Sequence, residues 1–348
     1  MFRNFVVVAV VLPLFACAAS NVNAQSYVIH ELGPSDSTYA TARGISDTGL
    51  IAGCYREPSH LTQPVIWRLD GTPTLLSSGP TYGGAAYDVN NSGQAVGAFD
   101  QSPVVWEADG EPVQLPLPDT VWDCRPCAIS DTGWIAANSK QSAAPWVGAA
   151  VVWTPDRSTR VYSAGPVDDF GACDVNDSGV AVGWSQHSYA CPGATVYDAS
   201  WWVIAGGTGS SSALAYGISD CGYICGLRSW LPVVWDPHRN VISLEGYGTP
   251  YAVNDQGLAV GQSSGGAVVW SINGGKAVLP MLTDGSTAIA YNINNAGWIV
   301  GECTDIDGHT HAVLWEPVPE PPSAVCVLSL LATAAAFVRR RQRVTVPS

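Results

Sequence analysis

The densest group of metal-ligating side chains in this sequence lies in the segment DIDGHTH, residues 305–311. It combines two carboxylates, Asp305 and Asp307, with two imidazoles, His309 and His311. Carboxylate oxygens and imidazole nitrogens are common ligands of calcium and of transition metals. Asp307 and the glycine after it also make a typical hairpin tip. A metal site and a plain turn are therefore both open here, and the turn is the favoured interpretation.

Seven further Asp or Asn residues recur along the chain, each two residues before a glycine. An EF-type calcium loop needs three oxygen ligands two residues apart and a later glutamate, which these segments lack. A tight turn explains every copy without an ion: Ser or Asn bonds the backbone, Asp or Asn follows, and Gly adopts the left-handed conformation. The predicted turn residues are Asp47 and Gly49, Asn91 and Gly93, Asp131 and Gly133, Asp177 and Gly179, Asp220 and Gly222, Asp255 and Gly257, and Asn295 and Gly297.

Catalytic motifs are absent from the sequence. It contains no nucleophile elbow, zinc-protease helix or phosphate-binding loop, and none of the six histidines lies in a catalytic motif. No catalytic residue and no cofactor is therefore assigned, and calcium is only a weak alternative. Isolated carboxylates are common, and two of them facing each other across a channel is what glycoside hydrolysis would need.

The turns belong to a repeat that must position any such site. Seven copies are spaced 35 to 46 residues apart, as in "AYDVNNSGQAVG" from Ala86 and "AYNINNAGWIVG" from Ala290. Each turn joins two strands, a third strand ends in Trp as in "PVVW", and a fourth ends near Leu. Periods near 40 with strand-like content predict an all-β fold, a seven-bladed β-propeller of four-stranded blades. The orphan strand at 27–32 fits the slot that the last blade leaves empty, so we expect it to close the ring.

Several residues fall outside the regular repeat. Four tryptophans lie in less regular segments, where they either pack in the core or, if exposed, stack on sugar rings. These weak ligand-binding candidates are Trp122, Trp146, Trp184 and Trp230. In copy four the less regular segment "SWWVI" takes the place of a third strand that ends in Trp.

Eight cysteines lie between the two ends of the chain. An even number in an exported chain predicts disulfides of unknown connectivity. Cys124 and Cys127 also have the spacing of a redox or zinc motif, but no βαβ pattern and no second cysteine pair accompany them.

Both ends of the sequence indicate export. Residues 1–24 have the charged start, apolar run and small-residue cleavage pattern of a signal peptide, with a lipoprotein site at Cys17 as the alternative. Residues 318–348 contain Pro319, Glu320 and Pro321, then an apolar segment at 323–338 and an arginine cluster. Sixteen helical residues span about 24 Å, slightly less than the membrane's hydrocarbon core, so this segment is a marginal transmembrane helix.

The tail resembles a PEP-CTERM sorting signal. This resemblance implies an exosortase-like membrane protease as a partner and display at the cell surface or in the extracellular matrix. Residues 27–317 resemble the HAF repeat of probable extracellular proteins, on "HELG" from His30, "AYNINNAGWIVG" and "HAVLW" from His311 to Trp315, with Val313 where the family has Phe. That family implies no particular activity.

Charge narrows the range of partners. The chain has a formal net charge of −14, and its two ends carry five of its 15 Lys and Arg residues. So acidic a body repels phosphate backbones, which excludes nucleic acid as an expected partner. We expect a secreted, non-enzymatic binding or scaffold propeller, directed at exopolysaccharide or surface proteins. The alternatives are a polysaccharide lyase or glycoside hydrolase with carboxylates in its channel, and a purely structural matrix protein.

Overall fold

The computed structural model describes residues 26–34, 37–56, 61–141, 147–163, 168–186, 191–198, 200–206, 212–283 and 285–318. The predicted signal peptide at 1–24, the Pro-Glu-Pro motif and the apolar segment at 323–338 lie outside the described residues. Within them the chain forms 28 β-strands, no helix, and therefore no helix able to cross a membrane.

After a single N-terminal strand, the strands follow one another along the chain in six groups of four and a last group of three. They are β1 (Tyr27–Leu32); β2 (Tyr39–Ile45), β3 (Ile51–Arg56), β4 (Gln63–Trp67) and β5 (Pro73–Leu75); β6 (Gly84–Val89), β7 (Ala95–Phe99), β8 (Ser102–Trp106) and β9 (Pro112–Gln114); β10 (Val121–Ile129), β11 (Ile135–Gln141), β12 (Gly148–Trp153) and β13 (Thr159–Tyr162); β14 (Asp169–Val175), β15 (Ala181–Gln186), β16 (Gly193–Tyr197) and β17 (Trp201–Gly206); β18 (Ala213–Ile218), β19 (Ile224–Arg228), β20 (Leu231–Trp235) and β21 (Val241–Ser243); β22 (Thr249–Val253), β23 (Leu258–Ser263), β24 (Gly266–Ser271) and β25 (Lys276–Val278); β26 (Gly285–Ile293), β27 (Ile299–Asp305) and β28 (Thr310–Pro317).

The first six groups form four-stranded antiparallel meanders, and the last group forms a three-stranded one. Five of these sheets are separate, and the sixth has eight strands because one parallel bridge, Tyr39 to Thr310, joins β2 to β28. The N-terminal strand β1 pairs antiparallel with β28, with Tyr27 opposite Pro317 and Leu32 opposite Ala312. It therefore supplies a fourth strand beside β26, β27 and β28.

The hairpin between the first and second strand of each group is a tight turn, illustrated by residues 90–94. The Gly93 amide donates to the Asn90 carbonyl at 3.0 Å, and the Asn90 side-chain oxygen accepts from the amides of Ser92 and Gln94. Gly93 has φ +83°, a conformation that costs a residue with a Cβ about 1–2 kcal/mol. The corresponding glycines of the other six copies have φ between +73° and +89°.

The third strands supply the core. Their terminal tryptophans have no exposed surface, and four of the indole N–H groups donate to carbonyls of the connection that leads into that group of strands, as Trp106 does to Ser77 at 2.9 Å. The fully buried tryptophans are Trp67, Trp106, Trp153, Trp235, Trp270 and Trp315. An indole buries its large apolar body while its polar tip finds a partner, which suits a position between two sheets.

The fourth group differs from the sequence-based expectation. "SWWVI" is not its third strand: it begins the outer strand β17, and the third strand β16 ends at Tyr197. Tyr197 is fully buried, and its hydroxyl donates to the carbonyls of Gly171 and Trp184. A tyrosine thus fills the tryptophan position because its hydroxyl is satisfied inside the sheet.

Each hydrophobic cluster spans two neighbouring sheets. Ala52 and Ile66 of the first group pack with Val89 and Trp106 of the second. The last group packs on the first in the same way, where Val300 and Leu314 join Ala42 and Trp67. Because every sheet is covered on both faces, its strands are apolar at consecutive positions, and all six residues of β12 are buried.

The expected disulfides are not formed, and that prediction was wrong. All eight cysteines between the two ends of the chain are free in the described residues. Six of them lie on strands of five different groups, where each fills a small position in its own sheet. The Cys127 thiol donates to the carbonyls of Ala136 and Ala172, so it bridges two sheets by hydrogen bonds instead of a disulfide.

Candidate ligand-binding chamber

The seven turns lie together at one end of the first strands, and their side chains line a small cavity of about 130 Å³. We call this end the turn face and the opposite end of the same strands the mouth face. In every turn the Asp or Asn of the repeat accepts a backbone N–H from the turn of the preceding group, at 2.7 to 3.0 Å. The seventh of these bonds runs from the amide of Asn295 to the carboxylate of Asp47.

Amide side chains reduce the repulsion between the carboxylates of the seven turns. Asn91 donates through its side-chain nitrogen to Asp131, and Asn295 donates to Asp47 at 2.8 Å and to Asp255 at 3.2 Å. The remaining carboxylates repel one another. Burial and neighbouring carboxylates together raise the pKa values of Asp131 and Asp220, although both also accept hydrogen bonds from backbone amides.

Buried asparagines form a second set of ties between neighbouring turns. Asn90, Asn176, Asn254 and Asn294 each donate to the carbonyl of the corresponding residue in the next turn, at 3.0 to 3.4 Å. The other three turns have serine at this position, which is too short to reach across. The sequence reasoning treated these residues as parts of isolated turns and missed their contacts between sheets.

The turn cavity adjoins a larger space, and Asp88 and Asn292 line both of them. We call this level of the first strands the waist; it consists of the residues that directly follow the bulge of each strand and precede the apolar residue of the turn, including Gly44, Asp88, Asp174 and Asn292. Asp88 accepts from the Ile129 amide at 2.9 Å, and Asp174 accepts from the Ile218 amide at 2.8 Å. Gly44 lets Asp88 approach closely, because a Cβ at residue 44 would lie 2.2 Å from the Asp88 Oδ1.

Both waist carboxylates have strongly perturbed acidity. Burial raises the pKa of Asp88 to about 8 and that of Asp174 to about 7, against the lowering effect of their backbone hydrogen bonds. The Asp174 charge adds to the shift at Asp88. Near neutral pH, the two groups therefore carry protons for much of the time and donate as well as accept hydrogen bonds.

The chamber lies on the mouth side of the waist and has a volume of about 380 Å³. This size lies within the range of about 300–1,000 Å³ that is usual for small-molecule sites. Its walls come mainly from the first strands and include Arg43, Tyr87, Tyr251 and Tyr291 as well as the waist residues. Tyrosine rings, guanidinium groups and carboxylic acids together offer flat apolar surfaces with hydrogen-bond donors and acceptors beside them.

Arg43 is fixed against one wall. Its guanidinium lies 4.0 Å from the centre of the Tyr291 ring, and the Tyr291 hydroxyl donates to Glu302 at 2.8 Å. The closest approach of Arg43 to Glu302 is 4.0 Å, and the Arg43 Nε and one Glu302 oxygen are buried without a hydrogen-bond partner in the described residues. The Arg43 charge is therefore only partly neutralised by protein.

Asn138 contributes an unused acceptor to the same chamber. Its Oδ1 is buried and has no hydrogen-bond partner in the described part of the chain. It lies against the Gly171 backbone, beside the Trp184 ring. A buried amide oxygen without a partner costs about 1–3 kcal/mol, so a hydroxyl donor entering the chamber would recover that cost.

The tryptophans proposed as ligand contacts have different environments. Trp230 is 69% exposed on the hairpin between β19 and β20, and Trp122 is 48% exposed near the start of β10, so both lie at the mouth face. Trp184 is half-buried next to Asn138, and Trp146 lies outside the described residues. Large apolar side chains exposed in connections between strands are found at the mouth face in the described ranges: Leu61, Tyr82, Trp230, Tyr247, Met281 and Ile306.

The proposed metal ligands form a hydrogen-bonded hairpin tip. Asp305 accepts from the amides of Asp307 and His309, and its carboxylate lies 3.3 Å from the His311 ring. His311 also pairs with Glu31 of β1 at 2.7 Å. Asp305, His309 and His311 take part in the hairpin and in the β1–β28 contact. Among the described residues no group of three or more His, Cys, Asp or Glu side chains is arranged to hold a metal ion.

Apart from Cys127, named only for its spacing from Cys124, no chamber residue was predicted from the sequence. Most chamber residues occupy the two positions directly before the apolar residue of each turn, as in Tyr87-Asp88 and Cys173-Asp174. These positions change in chemistry from copy to copy, while the Asp or Asn and the Gly of the turn are retained. This contrast between variable and retained positions was the sequence signal that could have identified the chamber.

Comparisons with known proteins bear on the fold. No family model and no curated protein matches the chain. It is similar to the structure of a puromycin hydrolase mutant complexed with PGG, at 14% identity and a TM-score of 0.50, over 84% of this chain and 57% of that chain. The chain has a β-propeller-like all-β fold.

Two other solved structures have lower TM-scores. Puromycin hydrolase has 15% identity and a TM-score of 0.49, over 81% of this chain and 55% of that chain. A gluconolactonase from Xanthomonas campestris has 13% identity and a TM-score of 0.48, over 87% and 93% of the two chains. The chain thus spans 55–57% of the length of the puromycin hydrolase structures.

Proposed function

We propose that this chain is an exported binding protein of the cell envelope or extracellular matrix, which holds a carbohydrate in the chamber of a closed seven-bladed propeller. Ring closure is supported by the pairing of β1 with β28 and by the seventh turn contact, from Asn295 to Asp47. Export and processing by an exosortase-like protease are supported by the sequence patterns at 1–24 and 318–348.

The observation that carries the binding proposal is the chamber of about 380 Å³ with its mixed lining. A sugar has flat apolar ring faces for tyrosines and many hydroxyls for hydrogen bonds. The Asn138 Oδ1 accepts a hydroxyl, Arg43 donates to one, and the Asp88 and Asp174 carboxyls do either. Since a specific site fixes its ligand through a few placed polar groups in an apolar wall, this lining favours a polyhydroxylated ligand over a purely apolar one.

A glycan array probed with the purified full-length chain tests the proposal, with Asn138→Ala as the diagnostic variant. Removing an acceptor that has no protein partner leaves the stability of the empty protein unchanged or raises it. Glycan affinity falls about fivefold or more, because a ligand hydroxyl loses its acceptor. Asn240→Ala, an exposed change on the hairpin between β20 and β21, serves as the matched control and leaves affinity unchanged. A blank array for the wild type, or equal affinities for all three proteins, would refute the proposal.

A second candidate function is hydrolysis or lyase chemistry on the bound glycan. It is favoured by one observation, the two waist carboxylates with pKa values of about 8 and 7. Two observations argue against it. Both carboxylates accept hydrogen bonds from backbone N–H groups of the next sheet, and the last group has an uncharged asparagine, Asn292, at the corresponding position. Incubation of the glycans that bind, followed by measurement of new reducing ends, separates the two. Turnover that is lost in both Asp88→Asn and Asp174→Asn would favour the enzyme.

A further inference from the structure

A groove of about 250 Å³ adjoins the chamber at the mouth face. The two spaces share walls, because Tyr87 and Arg125 line both of them. The groove is also lined by Gln101, Asp123 and Tyr82, and the Tyr82 side chain is 62% exposed. The walls of the groove therefore combine two aromatic rings, Tyr82 and Tyr87, with polar side chains.

The loop that forms one side of the groove is held in place by a carboxylate. Asp100 accepts from the amides of Thr81 and Tyr82, at 3.1 and 2.6 Å, and its own amide donates to the Gly83 carbonyl at 2.9 Å. Gly84 in turn donates to the Thr62 carbonyl. The groove is thus pre-formed, which reduces the entropy that a ligand would lose in ordering it.

Three of the seven non-glycine residues with positive φ in the described part of the chain adjoin the same groove. Asp100, Gln101 and Asp123 have φ values of +45°, +70° and +44°. The first two form a two-residue hairpin, where Asn-Gly is the favoured pair because both positions need a positive φ. Gln101 stands where glycine would suit the backbone best, and its side chain lines the groove. Strain of this kind persists where the side chain has a use other than folding.

We propose that the groove is a second subsite, which binds the next unit of a linear glycan whose terminal unit lies in the chamber. The inference rests on the proposed function, since it takes the chamber as the first subsite. The Tyr82 and Tyr87 rings stack on sugar faces, and Gln101, Asp123 and Arg125 bond the hydroxyls. Arg125 and Asp123, whose nitrogen and oxygen lie 3.4 Å apart, offer a donor and an acceptor where the two subsites meet.

Isothermal titration of the full-length chain with oligosaccharides of one to four units tests this proposal. The probes are the glucose series in α-1,4 and β-1,4 linkage, the N-acetylglucosamine series and the galacturonate series. For the series that binds, we expect affinity to rise at least tenfold from one unit to two or three. Gln101→Gly removes most of that gain and leaves affinity for the single sugar unchanged, and Tyr82→Ala does the same.

Gln101→Gly also separates binding from folding. Because glycine adopts the observed φ without strain, the variant should melt about 2 °C above the wild type. Ser229→Gly is the matched control: it has φ +50° in the corresponding hairpin between β19 and β20, far from the groove. It should gain stability and keep the full dependence on chain length.

The outcomes distinguish the two proposals. If no series binds, the proposed function fails. If a single sugar binds as tightly as its trimer, the chamber is supported and the groove is refuted as a subsite. If the trimer is favoured but Gln101→Gly and Tyr82→Ala both keep the whole gain, the second unit lies elsewhere and the inference is overturned.

Discussion

Replacing Asp88 by Asn should make the protein more stable at alkaline pH. Asp88 lies at the waist, where burial raises the pKa of its carboxyl to about 8. A folded-state pKa above the unfolded value means that the native state binds the proton more tightly. The contribution of Asp88 to the free energy of unfolding is therefore greatest below about pH 4, falls as the pH rises toward 8, and changes no further above pH 8. Asparagine keeps the acceptor oxygen for the Ile129 amide and carries no charge at any pH.

The size of the effect on stability follows from the shift in the pKa of Asp88. A rise from the ordinary 3.8 to about 8 is roughly four pKa units, and each unit corresponds to about 1.4 kcal/mol, which sets an upper limit of about 6 kcal/mol. About 4 kcal/mol of this limit falls between pH 5 and pH 9. Because the effective dielectric constant at buried protein sites is well above that of a dry interior, the cost is smaller, and we expect about 3 kcal/mol over this range. The ordinarily charged groups near Asp88 include Asp174, Asp131, Arg43 and Arg125, and tyrosines and cysteines of the chamber lie beside them. The two acids contribute repulsion, which the substitution also removes.

Urea unfolding followed by tryptophan fluorescence at pH 5, 6, 7, 8 and 9 measures this effect. The quantity of interest is the stability of Asp88→Asn minus that of the wild type, because other groups such as His311 titrate equally in both proteins. We expect this difference to grow by about 3 kcal/mol from pH 5 to pH 9. Asn292→Asp is the reverse control: it adds a third carboxyl at the waist and should steepen the wild-type decline. A constant difference across this range would refute the assignment of Asp88 as a buried, proton-retaining acid.

Three further predictions concern ring closure, thiols and the mouth face. Leu32→Ala in β1 should lower the free energy of unfolding by about 3 kcal/mol, as much as Leu279→Ala after β25, because both side chains are 2% exposed. A much smaller loss for Leu32→Ala in urea unfolding would argue against the closure of the ring by β1. Thiol titration in denaturant of purified, unreduced protein carrying Cys17→Ser and Cys326→Ser should count eight thiols, and in the native form of this protein Cys221 should react first because it is exposed; a count of six or fewer would indicate a disulfide. Trp230→Ala should leave stability within about 0.5 kcal/mol, since its ring is 69% exposed, and a larger loss on thermal unfolding would contradict that exposure.

The all-β, propeller-like fold could be predicted because its signals are local. A turn such as 90–94 depends on a glycine at φ +83° and on a side chain that bonds its own backbone, so a few consecutive residues specify it. The third-strand tryptophans are similarly visible as a repeated position. The fourth group shows the limit: Tyr197 takes the tryptophan position because its hydroxyl meets the carbonyls of Gly171 and Trp184, a contact that the spacing of "SWWVI" does not reveal.

The chamber and the cysteine pairing could not be predicted because they depend on contacts between groups. Asp88 is an unremarkable residue before a turn until Gly44 and the Ile129 amide of neighbouring groups surround it. The disulfide expectation used the count and the compartment alone. It failed because Cys54 and Cys225, for example, are each buried within the packing of a different sheet.

The two faces of the molecule favour one direction of ligand approach. The turn face has five carboxylates in its ring, Asp47, Asp131, Asp177, Asp220 and Asp255, whereas the mouth face exposes the rings of Tyr82, Trp230 and Tyr247. An acidic polysaccharide is repelled from the turn face over roughly a Debye length, about 8 Å at physiological salt. At the mouth face aromatic contacts are available and Arg43 and Arg125 supply positive charge. The same first strands thus carry the acidic turns that tie the sheets together and, next to them, a chamber lined by tyrosines, arginines and carboxyl groups.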